Sequence, residues 1–247
     1  MTQARLAPLL EDADRLDLAL DAEKLASFER YFDLILEWNE RAGITSIRDE
    51  AEAQHRHFGE SLALLRVLRD AGLLPAGERR RLADLGPGGG FPGIPMRIAE
   101  PSLELALIES NQKRAEFLEF AVRELGLTDV TVHPLRAEDA GRAPELRAAF
   151  DVVVARALAA MPVLVEYALP LLRDGGILAA PKGSRALDEL AESGGAIAAL
   201  GGVALEPLSL PVLPDAPPQT VLLVRREGPL DDRYPRRAGM PSKRPLA

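Results

Sequence analysis

The fold of this chain is decided by residues 82–93, which read LADLGPGGGFPG. An apolar run ends at the acidic residue Asp84 and then breaks into a glycine-rich turn. Glycine is favoured where the backbone needs a positive φ, or where another group must come closer than a Cβ allows. The pattern predicts a short buried strand followed by a ligand-binding loop, although a plain surface turn after a strand would also produce it.

The spacing of the glycines distinguishes two kinds of cofactor loop. A dinucleotide loop needs G-x-G-x-x-G/A, in which the third small residue packs the helix on the strand. Phe91 occupies that third position, which disfavours a nicotinamide-dependent oxidoreductase. The pattern is instead D-x-G-x-G-x-G and resembles the loop of S-adenosylmethionine-dependent methyltransferases. We therefore predict contacts to that cofactor from Asp84, Gly86, Gly88 and Gly90.

A second acidic residue follows the next predicted strand, at 103–108. This residue is Glu109, and in doubly wound folds a carboxylate about twenty residues past the loop accepts hydrogen bonds from ribose hydroxyls. Glu109 would also suit the start of the helix that begins near Asn111. The two roles are compatible, so we predict a ribose contact without excluding the capping role.

Strands and helices alternate through the rest of the chain. Apolar runs at 130–133, 150–155, 177–180, 203–208 and 221–224 predict further strands. This alternation predicts a doubly wound, Rossmann-like parallel α/β sheet with an antiparallel hairpin at its edge. Ligands of such sheets bind beyond the carboxyl ends of the strands. The charged residues predicted to lie there are Asp84, Glu109, Glu138, Arg156 and Lys182.

Arg156 directly follows the apolar strand at 150–155. A cation at the end of a buried strand is costly to leave unpaired. One interpretation is a structural ion pair, with Glu138 or Asp139 as the partner. The other is a group that holds cofactor or substrate, and the sequence does not decide between them.

The first part of the chain is predicted to be wholly helical. Apolar residues recur at helical spacing through residues 25–36, with charged residues on the other faces. A second helix is expected from about residue 50 to residue 71, with Arg56 and Glu60 on one face. We interpret His57, on the same helix, as a partly buried packing residue.

The composition excludes several kinds of site. The 247-residue chain has no cysteine, which excludes disulfides, thiolate metal sites and a thiol nucleophile. Its three histidines, His55, His57 and His133, are too scattered to predict a metal site. No apolar run is long enough to span a membrane, and acidic residues among the first twenty argue against a secretory signal. We therefore expect a cytoplasmic protein.

Further motifs carry a family resemblance, which covers nearly the whole chain because the helical front also matches, from WN at 38–39 through RHF at 56–58. The motifs are DLGPGGGFPGIP at 84–95, IES at 108–110, RAE at 136–138, ARAL at 155–158, KG at 182–183 and RYPRRAGMPSKRPL at 233–246. Together they closely resemble the RsmG (GidB) family, bacterial methyltransferases of guanine N7 in 16S ribosomal RNA. The chain departs from the family with GIT at 43–45 for Asn-Leu-Thr, with ESL at 60–62 for Asp-Ser-Leu, and by lacking an arginine around 219–220.

The resemblance implies S-adenosylmethionine as the cofactor and 16S ribosomal RNA, within the small ribosomal subunit, as the partner. It places cofactor contacts at Gly86 and Phe91, the ribose at Glu109 beside Ser110, the adenine near Ala137 and Glu138, and Arg156 in the site. We divide the chain into an N-terminal helical extension (1–75), a methyltransferase domain (76–227) and a basic tail (228–247), and expect a monomer. The alternatives are a methyltransferase for another RNA, a protein or a small molecule, and a non-catalytic cofactor-binding protein.

The expected chemistry needs no general base. N7 of guanine has a lone pair and no proton, so it attacks the sulfonium methyl directly. Orientation of the two reactants can lower such a barrier by ~7–11 kcal/mol. We therefore name no catalytic base, and Arg156 and Lys182 are the candidates for a catalytic role.

The net charge conflicts with an RNA substrate. The chain carries a formal charge of -8, which argues against non-specific binding of nucleic acid. Residues 225–247, however, hold seven basic residues against three acidic ones, a net charge of +4. We predict that this segment, which is too rich in proline for a regular helix or strand, binds phosphate. The alternative is a tail that is solvated or tied back onto the fold.

Overall fold

A mixed sheet of eight strands forms the centre of the protein in the computed structural model, which describes residues 2–214 and 216–246. The strands are β1 (Arg80–Leu85), β2 (Leu103–Ile108), β3 (Val130–His133), β4 (Phe150–Val154), β5 (Leu172–Lys182), β6 (Gly202–Ala204), β7 (Leu208–Ser209) and β8 (Thr220–Arg226). Their order is β3-β2-β1-β4-β5-β8-β6, with β7 also beside β8. Strands β1 to β5 are parallel, and β8 runs antiparallel to β5, β6 and β7. The predicted doubly wound sheet with an antiparallel edge is confirmed.

Helices precede the sheet and connect its strands. They are α1 (Thr2–Arg5), α2 (Ala7–Arg15), α3 (Ala22–Ala42), α4 (Glu50–Ala53), α5 (Glu60–Asp70), α6 (Gly93–Ala99), α7 (Gln112–Glu124), α8 (Ala137–Ala140), α9 (Met161–Ala168), α10 (Ala186–Glu192), α11 (Gly194–Ala199) and α12 (Met240–Lys243). A π-helical segment (Gln54–Gly59) joins α4 to α5, and a 3₁₀ turn (Leu169–Leu171) joins α9 to β5.

Alternate residues of the strands contribute to two hydrophobic cores, one on each face of the sheet. Leu82 and Leu105 belong to the first core, which they share with α2, α3, α5, α6 and α7. Their neighbours Ala83 and Ala106 belong to the second core, with α9 and α11. The N-terminal helices therefore cover one face of the sheet directly, which fixes their position relative to its carboxyl edge.

The predicted helix over residues 50–71 changes its winding in the middle. Asp12 of α2 is fully buried, and its Oδ2 lies 2.8 Å from Nδ1 of His55. Gly59 faces the same carboxylate, since a Cβ there would come within 2.1 Å of Asp12 Oδ2. The π-helical turn brings His55 to Asp12 while Arg56 and His57 reach the carboxyl edge of β4. Segments of this kind often mark functional sites.

The basic tail packs back onto the domain. Arg236 donates from Nε and Nη2 to the fully buried carboxylate of Glu166 in α9, at 2.9 and 2.6 Å. Tyr167 Oη lies 2.8 Å from Ser242 Oγ. The prediction that no regular helix forms in the tail was wrong, because Met240–Lys243 is one turn of helix with proline in its first turn, where no donor is lost.

Candidate active site

The glycine-rich loop needs its glycines for backbone conformation and for space. Gly86 and Gly90 have φ values of 66° and 97°, which other residues rarely adopt. A Cβ on Gly90 would lie 2.5 Å from Tyr31 Oη, and one on Gly86 would lie 2.6 Å from Leu158 Cδ1. Tyr31 of α3 also donates a hydrogen bond to the carbonyl of Gly89. The N-terminal helices therefore hold the loop from one side.

Asp84 stabilises the conformation of the glycine-rich loop. Its carboxylate is fully buried, and Oδ2 accepts a 2.7 Å hydrogen bond from the N–H of Gly93, the first residue of α6. Burial raises the pKa of Asp84 to about 7, although the Gly93 hydrogen bond and Arg156 lower it. Asp84 thus fixes the turn into α6, and its side chain lies behind the loop.

A cavity of about 340 Å³ opens beside the loop, at the ends of β1 and β2. It is lined by Gly86, Ile108, Glu109, Ser110, Asn111, Arg114, Leu135, Ala137, Ala157 and Leu158. We call it the loop cavity. Glu109 Oε2 accepts a hydrogen bond from Gly88 N (3.1 Å), and Oε1 accepts one from Asn111 N (2.7 Å). Glu109 therefore joins the loop to the start of α7 while facing the cavity.

The predicted cofactor residues fall into two groups. The first group lines the loop cavity and comprises Gly86, Glu109, Ser110 and Ala137. The second group lies outside that lining and comprises Asp84, Gly88, Gly90, Phe91, Glu138 and Arg156. The carboxylate of Glu138 is buried and accepts a 2.7 Å hydrogen bond from Gly239 N of the tail. Oε1 of Glu138 is therefore committed to the tail.

Phe91 packs between the N-terminal helices and the sheet. The His57 ring stacks on it at 4.3 Å with an interplanar angle of 7°, and the Arg156 guanidinium lies 5.5 Å from its centroid. Tyr31 approaches it from α3, at 5.8 Å between ring centroids. Phe91 therefore fixes the loop against the helices that carry His57 and Tyr31.

Arg156 forms a buried ion pair, and its partner is Glu60. Nη1 donates to Glu60 Oε2 at 3.1 Å and to the carbonyl of Arg56 at 2.6 Å. The prediction that Glu138 or Asp139 would be the partner was wrong, since Glu138 binds the tail. Burial lowers the pKa of Arg156, while Glu60 and Asp84 raise it.

His57 agrees with the predicted packing role and also borders the site. A guanidinium can only donate, so Nδ1, 3.4 Å from Arg156 Nη2, is an acceptor. The ring proton then resides on Nε2, which donates to Thr45 Oγ1 at 2.7 Å. Burial, Arg156 and Arg56 lower the pKa of His57 to about 3. The imidazole is therefore neutral, and both nitrogens are engaged.

A larger cavity of about 560 Å³ lies at the ends of β4 and β5. We call it the edge cavity, and it shares Ala157 and Leu158 with the loop cavity. Its charged lining residues are Arg56, Glu60, Arg156, Lys182 and Glu189. Lys182 Nζ donates to Ala159 O (2.6 Å) and to Glu189 Oε2 (2.8 Å). Sequence reasoning missed Glu189 and Tyr31, because neither lies in a local motif.

The described part of the chain offers neither a metal-binding cluster nor a membrane-spanning helix. No group of three or more His, Asp or Glu residues among 2–214 and 216–246 could hold a metal ion. In the same ranges, none of the helices has the length and apolarity needed to cross a membrane.

The strand order, the glycine loop and the paired cavities define a methyltransferase of the doubly wound α/β class. A solved structure described as a sarcosine dimethylglycine methyltransferase from Galdieria sulphuraria shares this fold, with a TM-score of 0.54 at 14% identity, over 82% of this chain and 98% of that one. A family model for rRNA small subunit methyltransferase G (GidB) matches residues 24–211. The chain belongs to this family, which confirms the resemblance in the motifs.

Relatives with the same family name match over nearly the full chain. The ribosomal RNA small subunit methyltransferase G of Roseiflexus castenholzii is 43% identical over 240 residues, covering 96% of this chain and 98% of its own. The protein of the same name from Desulfitobacterium hafniense is 41% identical over 232 residues, covering 94% of this chain and 93% of its own.

Proposed function

We propose that this protein transfers a methyl group from S-adenosylmethionine to N7 of a guanine in 16S ribosomal RNA of the small ribosomal subunit. One observation carries the proposal: the loop cavity and the edge cavity meet at Ala157 and Leu158. A methyl donor in the first and a base in the second would be neighbours at this shared wall. We also propose that the protein acts as a monomer in the cytoplasm.

The residues of the loop cavity fit the cofactor. Its volume of about 340 Å³ lies within the range of small-molecule pockets. Glu109 presents a carboxylate for ribose hydroxyls, and Ile108 and Leu135 offer apolar surface for adenine. Gly86 leaves room for the methionine part. When bound, the cofactor supplies an electrophilic methyl on a sulfonium.

The edge cavity suits a nucleophile that carries no proton. His57 is neutral, but its nitrogens are committed to Arg156 and Thr45, so it is not placed as a base. Lys182 is anchored by two hydrogen bonds, and Arg156 is held by Glu60. These cations support binding and orientation, which is what a reaction without proton abstraction needs.

The test is a methylation assay with labelled cofactor on two substrates, naked 16S ribosomal RNA and small subunits that lack the modification. Strand cleavage specific for N7-methylguanine then locates the methyl group. We expect label on a single guanine. Label on another atom or another RNA would refute the assignment, and the comparison of the two substrates shows which state is recognised.

A further inference from the structure

The edge cavity contains two carboxylates, and their oxygens differ in availability. Both oxygens of Glu60 face guanidinium groups, since Oε2 accepts a hydrogen bond from Arg156 and the buried Oε1 lies 2.8 Å from Arg56 Nε in an ion pair without hydrogen-bond geometry. In Glu189, Oε2 accepts from Lys182 Nζ at 2.8 Å and from Met161 N at 3.0 Å. Glu189 Oε1 accepts from no donor in residues 2–214 and 216–246, and it belongs to a side chain that is 21% exposed.

The position of Glu189 relative to the sheet determines which edge of a bound guanine it can contact. The loop cavity lies over β1 and β2, and the edge cavity lies over β4 and β5, farther along the strand order. Glu189 belongs to α10, which follows β5. A guanine whose N7 faces the shared wall at Ala157 and Leu158 therefore directs its opposite edge, with N1–H and the 2-amino group, away from the loop cavity toward β5 and α10.

We propose that Glu189 is the specificity-determining residue that accepts hydrogen bonds from N1–H and the 2-amino group of the target guanine. This inference rests on the proposed function. Oε1 has two lone pairs and accepts both donors. Adenine presents an acceptor at N1 and no 2-amino group, so it would set a lone pair against the carboxylate oxygen, which is costly in a partly buried site.

Lys182 and Met161 orient this carboxylate so that it can accept hydrogen bonds from the guanine. Their hydrogen bonds fix the rotamer of Glu189 through Oε2 and leave Oε1 toward the cavity. Although burial raises the pKa of Glu189, the bonds from Lys182 and Met161 lower it below its usual value, so Glu189 is ionised at neutral pH.

The same contact favours the reaction step. Methylation moves the positive charge of the sulfonium onto the guanine ring, and N1–H becomes a stronger donor as this happens. A hydrogen bond from N1–H to Glu189 is therefore stronger in the transition state than in the bound substrate, and such interactions raise the rate of the chemical step. Loss of the contact should lower the single-turnover rate more than it lowers RNA affinity.

The test replaces the methylated guanosine in 16S ribosomal RNA by inosine, which keeps N7, O6 and N1–H and lacks the 2-amino group. Subunits assembled with either RNA are assayed under single-turnover conditions. For the parent protein we expect the rate constant to be about 10- to 100-fold lower on inosine, as for a hydrogen bond to a charged group. For Glu189→Ala we expect the guanosine-to-inosine ratio to fall close to one.

Two variants separate recognition from damage to the ion pair. Lys182→Met removes the same ion pair but keeps Glu189 and its hydrogen bond from Met161 N, so its guanosine-to-inosine ratio should stay well above one whatever its absolute rate. Glu189→Gln keeps the shape, but Lys182 Nζ and Met161 N retain its single amide oxygen, so its NH2 faces the cavity and cannot accept from the guanine. Its ratio should therefore also fall close to one, and this variant serves if the alanine variant does not fold. Cofactor affinity and thermal unfolding report on folding.

The failures of the two proposals can be told apart. Absence of methylation on guanosine by the folded parent would overturn the proposed function. Methylation of guanosine with equal rates on inosine, or with the same ratio in the parent and Glu189→Gln, would overturn the role of Glu189 alone.

Discussion

Replacing Glu60 by glutamine should destabilise the protein far more than replacing an exposed glutamate. The carboxylate of Glu60 is 5% exposed and pairs with Arg56 at 2.8 Å and with Arg156 at 3.1 Å. Breaking a buried ion pair by removing one partner costs about 3–5 kcal/mol, because the other charge is left buried without compensation. Glu60→Gln leaves the largely buried Arg156 in that state, whereas Arg56, whose side chain is 32% exposed, remains partly hydrated, so we expect a loss in this range.

The assay is unfolding by heat and by urea. For a chain of this length, a loss of 1 kcal/mol lowers the Tm by about 2–4 °C, so the expected decrease is about 6–20 °C. The matched control is Glu192→Gln, which breaks the Arg185–Glu192 pair, where both side chains are more than half exposed. Exposed pairs contribute about 0–1 kcal/mol, so the control should be nearly neutral.

The partner substitution adds a second criterion. Arg156→Met leaves Glu60 still paired with Arg56, so it should cost less than Glu60→Gln. Equal losses for Glu60→Gln and Glu192→Gln, or a larger loss for Arg156→Met than for Glu60→Gln, would refute this account of the network.

Three further predictions concern the loop, the cofactor and the tail. Burial raises the pKa of Asp84 from 3.8 to about 7. The native state therefore keeps a proton that the unfolded chain releases above about pH 4. The stability that comes from this protonation is lost as the pH rises toward 7. The free energy of unfolding, measured with urea, should therefore decline less over this pH range for Asp84→Asn than for the parent. Parallel pH profiles for the two proteins would contradict the raised pKa of Asp84. Glu109→Ala should weaken S-adenosylmethionine binding by ~1.5–3 kcal/mol, as expected for a charged acceptor, and unchanged affinity in calorimetry would show that Glu109 makes no such contact. Replacing the exposed tail cations by glutamine should leave cofactor affinity intact and reduce the salt slope of RNA binding by about 2, at ~0.7 per phosphate contact; an unchanged slope would remove the tail from the RNA surface. These cations are Arg237, Lys243 and Arg244; Arg233, which is also exposed, is left in place because it pairs with Asp231.

The features that sequence reasoning predicted are the local ones. The strand at 103–108 and the strand at 130–133 match β2 and β3 residue for residue. The spacing of the glycines and Glu109 also located the loop cavity, because its lining comes from two neighbouring βα turns. Short-range patterns were sufficient there.

The errors arise where distant residues decide the local structure. The strand predicted at 177–180 begins earlier, at Leu172, because that residue pairs with Phe150 of β4. The segment 203–208, expected as one strand, is divided between β6 and β7.

Charged partners were the least predictable part of the site. Arg156 and Glu60 are 96 residues apart in sequence, and Tyr31 reaches Gly89 across 58 residues. Helical spacing placed Glu60 beside Arg56 but gave no sign that the π-helical turn would bring it to Arg156. Such contacts depend on how the N-terminal helices pack on the sheet, which no local pattern records.

The most direct test of the central claim removes the proposed nucleophile alone. Small subunits are assembled with 16S ribosomal RNA that carries either guanosine or 7-deazaguanosine, in which a C–H replaces N7, at the mapped position. The protein is then incubated with labelled S-adenosylmethionine, and methyl incorporation is counted. Methylation at N7 predicts label on the guanosine subunits and none at the 7-deazaguanosine position. Equal incorporation into both would contradict it.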